Sequence, residues 1–370
     1  MDRRSFLLNT AASAAYGFPR AGEGEPQYRV VTRYKSVPKF ELPGRVVRVH
    51  AANAIDEGTA KADDVVVREM FARGMTSLTG DKNPLEAWRR FIGPDDVVGI
   101  KVNASGAPKI MSHPVVVTEI LRNLVAVGVK PSNITIYERF PDQLASIHYD
   151  QAMEWKVNIH AVEPYRMRIA EYDPNTYVEV NFFGEEETRS NLVRMVSEKF
   201  TKIINVPNMK DHGASGVTGC LKNIAYGNYH NVARSHAFTK THTKTFIGTL
   251  ANAEPLRSKT VLHVMDGLKS IWHGGPFQRD PRFAFYPKQI SFGTDPVAMD
   301  RIMRDVIEGK RREERAVSVM SRDPETTKNV KPLDPNKNVY IREPLHIEYA
   351  GSLGLGIADI TKIKLEDIRL

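Results

Sequence analysis

KFTKIINVPNMKDHGASGVTGCLKNIAYGNY, residues 199–229, is the stretch on which both fold and site turn. Ile203, Ile204 and Val206 read as a buried strand. Pro207 breaks it, because proline has no N–H to give to a strand ladder. A polar turn from Asn208 to Ser215 follows, and then a helix holding Thr218, Lys222 and Asn223. An apolar strand that empties through a polar turn into a helix is where open α/β sheets bind ligands, beyond the carboxyl ends of the strands. Lys210 and His212 sit in a glycine-flanked turn, where backbone N–H groups and side chains can converge on an anion. Thr218 and Lys222 are four residues apart, so the spacing predicts one shared helix face. A nucleotide P-loop is excluded, since no Gly-Lys-Ser/Thr ending is present.

Outward from this stretch the chain repeats the same grammar. VVGIKVN, residues 97–103, is a continuous apolar run, the mark of a strand covered on both faces. Pro114 opens a helix that Gly128 stops, and Asn133 to Tyr137 forms a strand ending at Glu138. Strand, helix, strand is a βαβ unit. Thr260 to Met265 is a strand ending at Asp266, and Gln289 to Phe292 is one ending at Asp295. Val46 to His50 is a short strand, and Ile363 to Ile368 an edge strand. Asn191 to Glu198 reads as a helix. The fold expected is α/β, with a mostly parallel sheet sandwiched between helices in three layers and an irregular insertion at 164–188. Residues 21–44 read as an arm, and residue 45 onward as one domain, with a division into two lobes foreseen near 165–190.

Polar residues collect at strand ends: Lys101 and Asn103, Glu138, Lys210 and His212, Asp266, Asp295. In a parallel sheet those ends share one rim. Lys101, Lys210 and Lys222 would hold an anion there, with Asn103, Thr218 and Asn223 orienting it and Gly216 completing the binding set. His212 would be the general acid/base, since its unperturbed pKa lies near neutrality. Lys210 and Glu138 join it as catalytic candidates, and Glu138, Asp266 or Asp295 would orient it or bind a metal. Asp295-Pro296 is also a good helix start in its own right.

The 370-residue chain has ordinary apolar (41%) and charged (26%) fractions and a net charge of +8, which favours anionic ligands. No Lys/Arg stripe with interleaved aromatics appears, so a nucleic-acid partner is not expected. A single cysteine, Cys220, excludes an internal disulfide and an iron–sulfur cluster from this chain. The eleven histidines leave a divalent metal open as a cofactor, although none forms a His-Glu-x-x-His motif. Arg3-Arg4-Ser5-Phe6-Leu7, followed by a short apolar run, reads as a twin-arginine export signal over residues 1–20. That run is too short to span a bilayer, so stable membrane insertion is not expected. A periplasmic or extracellular location is. Nothing in the sequence sets the number of subunits.

VVGIKVN, the helix after Pro114, INVPNMKDHGASGVTGCLKNIAYG, VMDGL, GGP, TDPVAMD and GSLGLG together resemble the bacterial and archaeal family known as domain of unknown function 362. Many members carry a ferredoxin-like iron–sulfur module, whose cysteines this chain lacks. The central block is also distantly similar to the N-terminal domain of lactate racemase-type enzymes. That likeness implies a small carboxylate ligand and a cofactor. The expectation is therefore an exported enzyme on a small carboxylate- or phosphate-bearing molecule. The alternative is a periplasmic protein that binds a ligand or carries a cofactor without catalysis.

Overall fold

The computed structural model describes residues 26–149, 154–163, 171–236, 241–329, 331, 333–338 and 345–370. The predicted export signal and residues 164–170 of the predicted insertion lie outside them.

Eight strands form the central sheet: β1 (Arg45–His50), β2 (Val98–Val102), β3 (Ile134–Glu138), β4 (Asn158–Ala161), β5 (Lys202–Val206), β6 (Thr260–Gly267), β7 (Gln289–Gly293) and β8 (Lys364–Arg369). Their order across the sheet is β8-β1-β7-β6-β5-β2-β3-β4. All pairings are parallel except those of β7, which runs against both β6 and β1. β2 is buried along its whole length, as its unbroken apolar run requires. β8 is the edge strand that the sequence predicts, and its residues are mostly exposed.

Helices cover both faces. On one, α1 (Asp64–Thr79) and α2 (Pro114–Val127) pack Met70, Phe71, Ile120 and Leu124 onto Val47, Ile100, Ile136 and Phe292. On the other, α3 (Cys220–Tyr226), α4 (Thr243–Asn252), α5 (Pro296–Glu313) and α6 (His346–Ser352) pack Leu221, Phe246, Met303 and Ile347 with Val46, Tyr137 and Met265. This is the expected three-layer α/β architecture. Asp63 caps α1, its carboxylate accepting from the Val65 and Val66 amides at 2.9 and 3.0 Å. Asp63→Ala is expected to cost about 1 kcal/mol in urea unfolding; an unchanged midpoint would show that the cap contributes nothing.

Three local expectations change. Arg189–Val193 is a strand rather than part of a helix, because it pairs with Tyr172–Glu179. Arg29–Val31 pairs with the other edge of Tyr172–Glu179, so the described part of the insertion is a small antiparallel sheet. The arm is packed down: Tyr28 stacks on Phe246 at 6.1 Å, and Lys39 donates to the Arg257 and Thr260 carbonyls at 2.8 and 2.7 Å. No helix among the described residues is long and apolar enough to cross a membrane.

Candidate functional site

β5 ends at Val206, and the chain then forms a hairpin in which Lys210–His212 pairs with Gly216–Thr218. Gly216 has φ of +73°, a left-handed conformation that a side chain would strain, so it shapes the turn. Inside the turn, His212 Nδ1 accepts from the Ala214 and Ser215 amides at 3.1 and 3.3 Å. That assigns the ring proton to Nε2. The His236 ring lies 5.3 Å from the His212 ring, centroid to centroid.

Helix α3 starts only at Cys220, where the Asp300 carboxylate, carried by α5, accepts from the Cys220 and Leu221 amides at 2.5 and 2.9 Å. A carboxylate at a helix N-terminus satisfies orphan N–H groups and the local dipole. Burial pushes Asp300 up to about 7. Thr218 therefore belongs to the hairpin, and the predicted helix face shared with Lys222 does not exist.

The three lysines are buried near one another. Lys101 is fully buried and donates to Glu138 Oε1 at 2.8 Å and to the Val102 carbonyl at 2.6 Å. Gly227 makes room for it, since a Cβ there would stand 2.0 Å from Lys101 Cε. Lys210 is also fully buried and donates to Asn103 Oδ1 at 2.6 Å and to the Ser105 carbonyl. Burial pulls it down to about 7; the charge of Glu138 opposes this and that of Lys101 adds to it. Lys222 is 6% exposed and has no hydrogen-bond acceptor among the described residues; its Nζ stands 5.4 Å from the Tyr226 ring centroid. Burial, and then the charge of Lys210, hold it well below the ordinary lysine range. Thr218 Oγ1 is buried without a hydrogen-bond partner.

Glu138 is spent on structure. Besides Lys101 it accepts from the Arg139 amide at 2.7 Å and, through its other oxygen, from the Ala104 amide at 3.1 Å. Asn103 and Asn223 are spent on each other. Asn103 Nδ2 donates to Asn223 Oδ1 at 3.1 Å, Asn223 Nδ2 to Asn205 Oδ1 at 2.8 Å, and Asn205 Nδ2 to His263 Nδ1 at 2.9 Å. From Lys210 to His263 every amide donates in the same direction. Burial holds His263 down to about 3, so its Nδ1 can accept. Asn205 and His263 escaped the sequence reading. Their signal was a polar residue inside the apolar runs IINV and VLHV.

Two acidic candidates stand apart. Asp266 accepts from the His113 and Leu268 amides at 2.6 and 2.9 Å. It lines a cavity of about 60 Å³ with His113, Lys109 and Lys269, and burial raises it to about 6. None of its described bonds reaches the lysines. Asp295 lies at the opposite rim, because β7 runs antiparallel to its neighbours. It caps α5 through the Val297 and Ala298 amides and also accepts from the Gly44 and Ile357 amides at 2.9 Å. Among the described residues there is no group of three His, Cys, Asp or Glu that could hold a metal ion. The hairpin is anchored by a fully buried ion pair, Asp211 to Arg311 of α5 at 3.3 Å. Arg311 also donates to the Trp272 carbonyl at 2.8 Å, and Asp211 accepts from the Gly275 amide at 3.1 Å.

No curated protein matches the sequence. A solved structure of a Thermotoga maritima protein is similar at 10% identity with a TM-score of 0.38, over 68% of this chain. This chain spans 59% of the length of that protein. Residues 98–305, which hold β2 to β7 and every lysine of the cluster, match the family described as a domain of unknown function, DUF362, and the chain belongs to that family.

Proposed function

We propose that the chain is an exported enzyme acting on a small anionic molecule that bears a carboxylate or phosphate. One observation carries this reading: three lysines are buried together at the carboxyl rim of the sheet, and among the described residues only Glu138 is ion-paired with them. Burying an ammonium without a counter-ion is costly, and an anion from solution offsets that cost. Lys101 is already neutralised by Glu138, which leaves Lys210 as the anchor and Lys222 and Thr218 to meet the rest of the ligand. His212 Nε2–H is the proton donor within the hairpin. The Arg3-Arg4 leader supports export. A second reading, a periplasmic binder without turnover, is favoured by the described bonds of His212, which go to backbone amides rather than to a carboxylate.

The binding claim is tested by calorimetric titration of the intact chain with phosphate and with oxalate across a pH series. Lys210 holds an anion only as an ammonium, and its pKa is about 7. Affinity is expected to fall about tenfold per pH unit above that point. A flat profile, or no heat with either anion, removes the reading. His212→Ala separates its two forms, using a panel of small hydroxy- and oxo-carboxylates followed by NMR. Lost turnover with retained affinity supports the enzyme; lost affinity, with no turnover in the parent chain, supports the binder.

A further inference from the structure

We propose that Lys222 is a nucleophile that forms a Schiff base with the carbonyl group of a small 2-oxo acid. This rests on the anion reading above and narrows its substrate class. Four observations carry it. The Lys222 residue is 6% exposed, its Nζ lies 5.4 Å from the Tyr226 ring centroid, and no described residue accepts a hydrogen bond from it. The other two buried amines each have acceptors within the protein, Lys101 on Glu138 and Lys210 on Asn103 and Ser105. Its position is fixed by its helix, whose first turn is tied down by Asp300. The Thr218 hydroxyl, buried and also without a partner, is free to bond a ligand oxygen.

The electrostatics agree with this placement. A lysine becomes an amine nucleophile when it is desolvated beside a second cation. Lys222 has both conditions, burial first and the Lys210 charge second. Burial first of all holds the neighbouring His236 ring down to about 3. The neighbouring Lys210 ammonium takes the carboxylate, which sets the adjacent carbonyl carbon toward the amine. The Lys222 lone pair forms the C–N bond as the C=O π bond opens. The carbonyl oxygen then leaves as water, carrying off the two amine protons, and the product is a C=N bond. Lys210 can protonate that nitrogen to give the iminium. No oxidant or reductant enters this step.

The test uses the intact chain with pyruvate and sodium cyanoborohydride, which reduces the iminium to a stable secondary amine. Peptide mass spectrometry then locates the added group. The expected result is an adduct on Lys222 forming at least about tenfold faster at neutral pH than on surface lysines, which are nearly all protonated there. Lys222→Arg should remove it. An adduct that is absent, or that is spread over other lysines only, overturns the proposal. Because the adduct is mapped directly on the wild-type chain, the outcome holds even where the variant fails to fold. Calorimetry with oxalate, which presents carboxylates but no ketone, separates the two claims. Oxalate binding without a Lys222 adduct leaves the anion site standing and removes the nucleophile, whereas loss of both removes the anion site as well.

Discussion

Arg311→Met is expected to destabilise the chain by about 3–5 kcal/mol, the cost of leaving one partner of a buried ion pair behind. Arg311 and Asp211 are both fully buried. The guanidinium also donates to the Val317 carbonyl at 2.5 Å and is hydrogen-bonded to His273 Nδ1 at 3.1 Å. Without it, the Asp211 carboxylate keeps only partial compensation, including the Gly275 amide. Asp211 lies between Lys210 and His212 on the hairpin, so the same substitution should weaken anion binding. The double variant Asp211→Asn/Arg311→Met should recover part of the lost stability, because the uncompensated charge is then gone. Urea unfolding of the parent chain and both variants checks this. A double variant no more stable than Arg311→Met alone would show that the pair is not what holds the hairpin.

Lys210→Met is expected to cost about ten- to hundredfold in affinity for phosphate and oxalate, the usual worth of a hydrogen bond to a charged group. The stability effect runs the other way with pH. A lysine whose folded pKa is about 7 has lost its proton in the native state over a range where the unfolded chain still holds it. The unfolded pKa is the higher of the two, so this group's penalty on the ligand-free chain grows as pH falls from about 10 to about 7 and is constant below that. Across that window the unfolded state binds more protons, so the parent chain without ligand should gain stability from this group as pH rises from about 7 to about 10. Lys210→Met should flatten that rise. Thermal unfolding at several pH values, beside calorimetry, reads both effects. Unchanged affinity would remove Lys210 as the anchor, and a rise that persists in the variant would assign the titration elsewhere.

Much of the architecture was legible because its signals are local. The unbroken apolar run of β2, the Pro114 and Gly128 that bound α2, and the Pro207 that ends β5 each act through their own backbone. The basic cluster was legible too, since Lys101 lies near the end of one strand, Lys210 follows the end of another and Lys222 sits in the first turn of a helix. The same reading misplaced Asp295 and over-assigned Glu138. A run such as QISF says that a strand exists but not which way it runs in the sheet. β7 is antiparallel, and that alone sends Asp295 to the far rim. The pairing of Glu138 with Lys101 depends on β2 and β3 lying side by side.

The sequence by itself determined a three-layer α/β chain, its family and the lysine-rich turn after β5. Only the tertiary structure decided which of those polar groups are already spoken for. Asn103, Asn223, Asn205 and His263 come from four separated segments, and their hydrogen-bonded line exists only once β2, β5, β6 and α3 are packed together. Hydrophobic periodicity and turn chemistry act over a few residues. The partner of a buried polar group is set by which strands become neighbours, and among the described residues that choice left Lys222 without a hydrogen-bond acceptor.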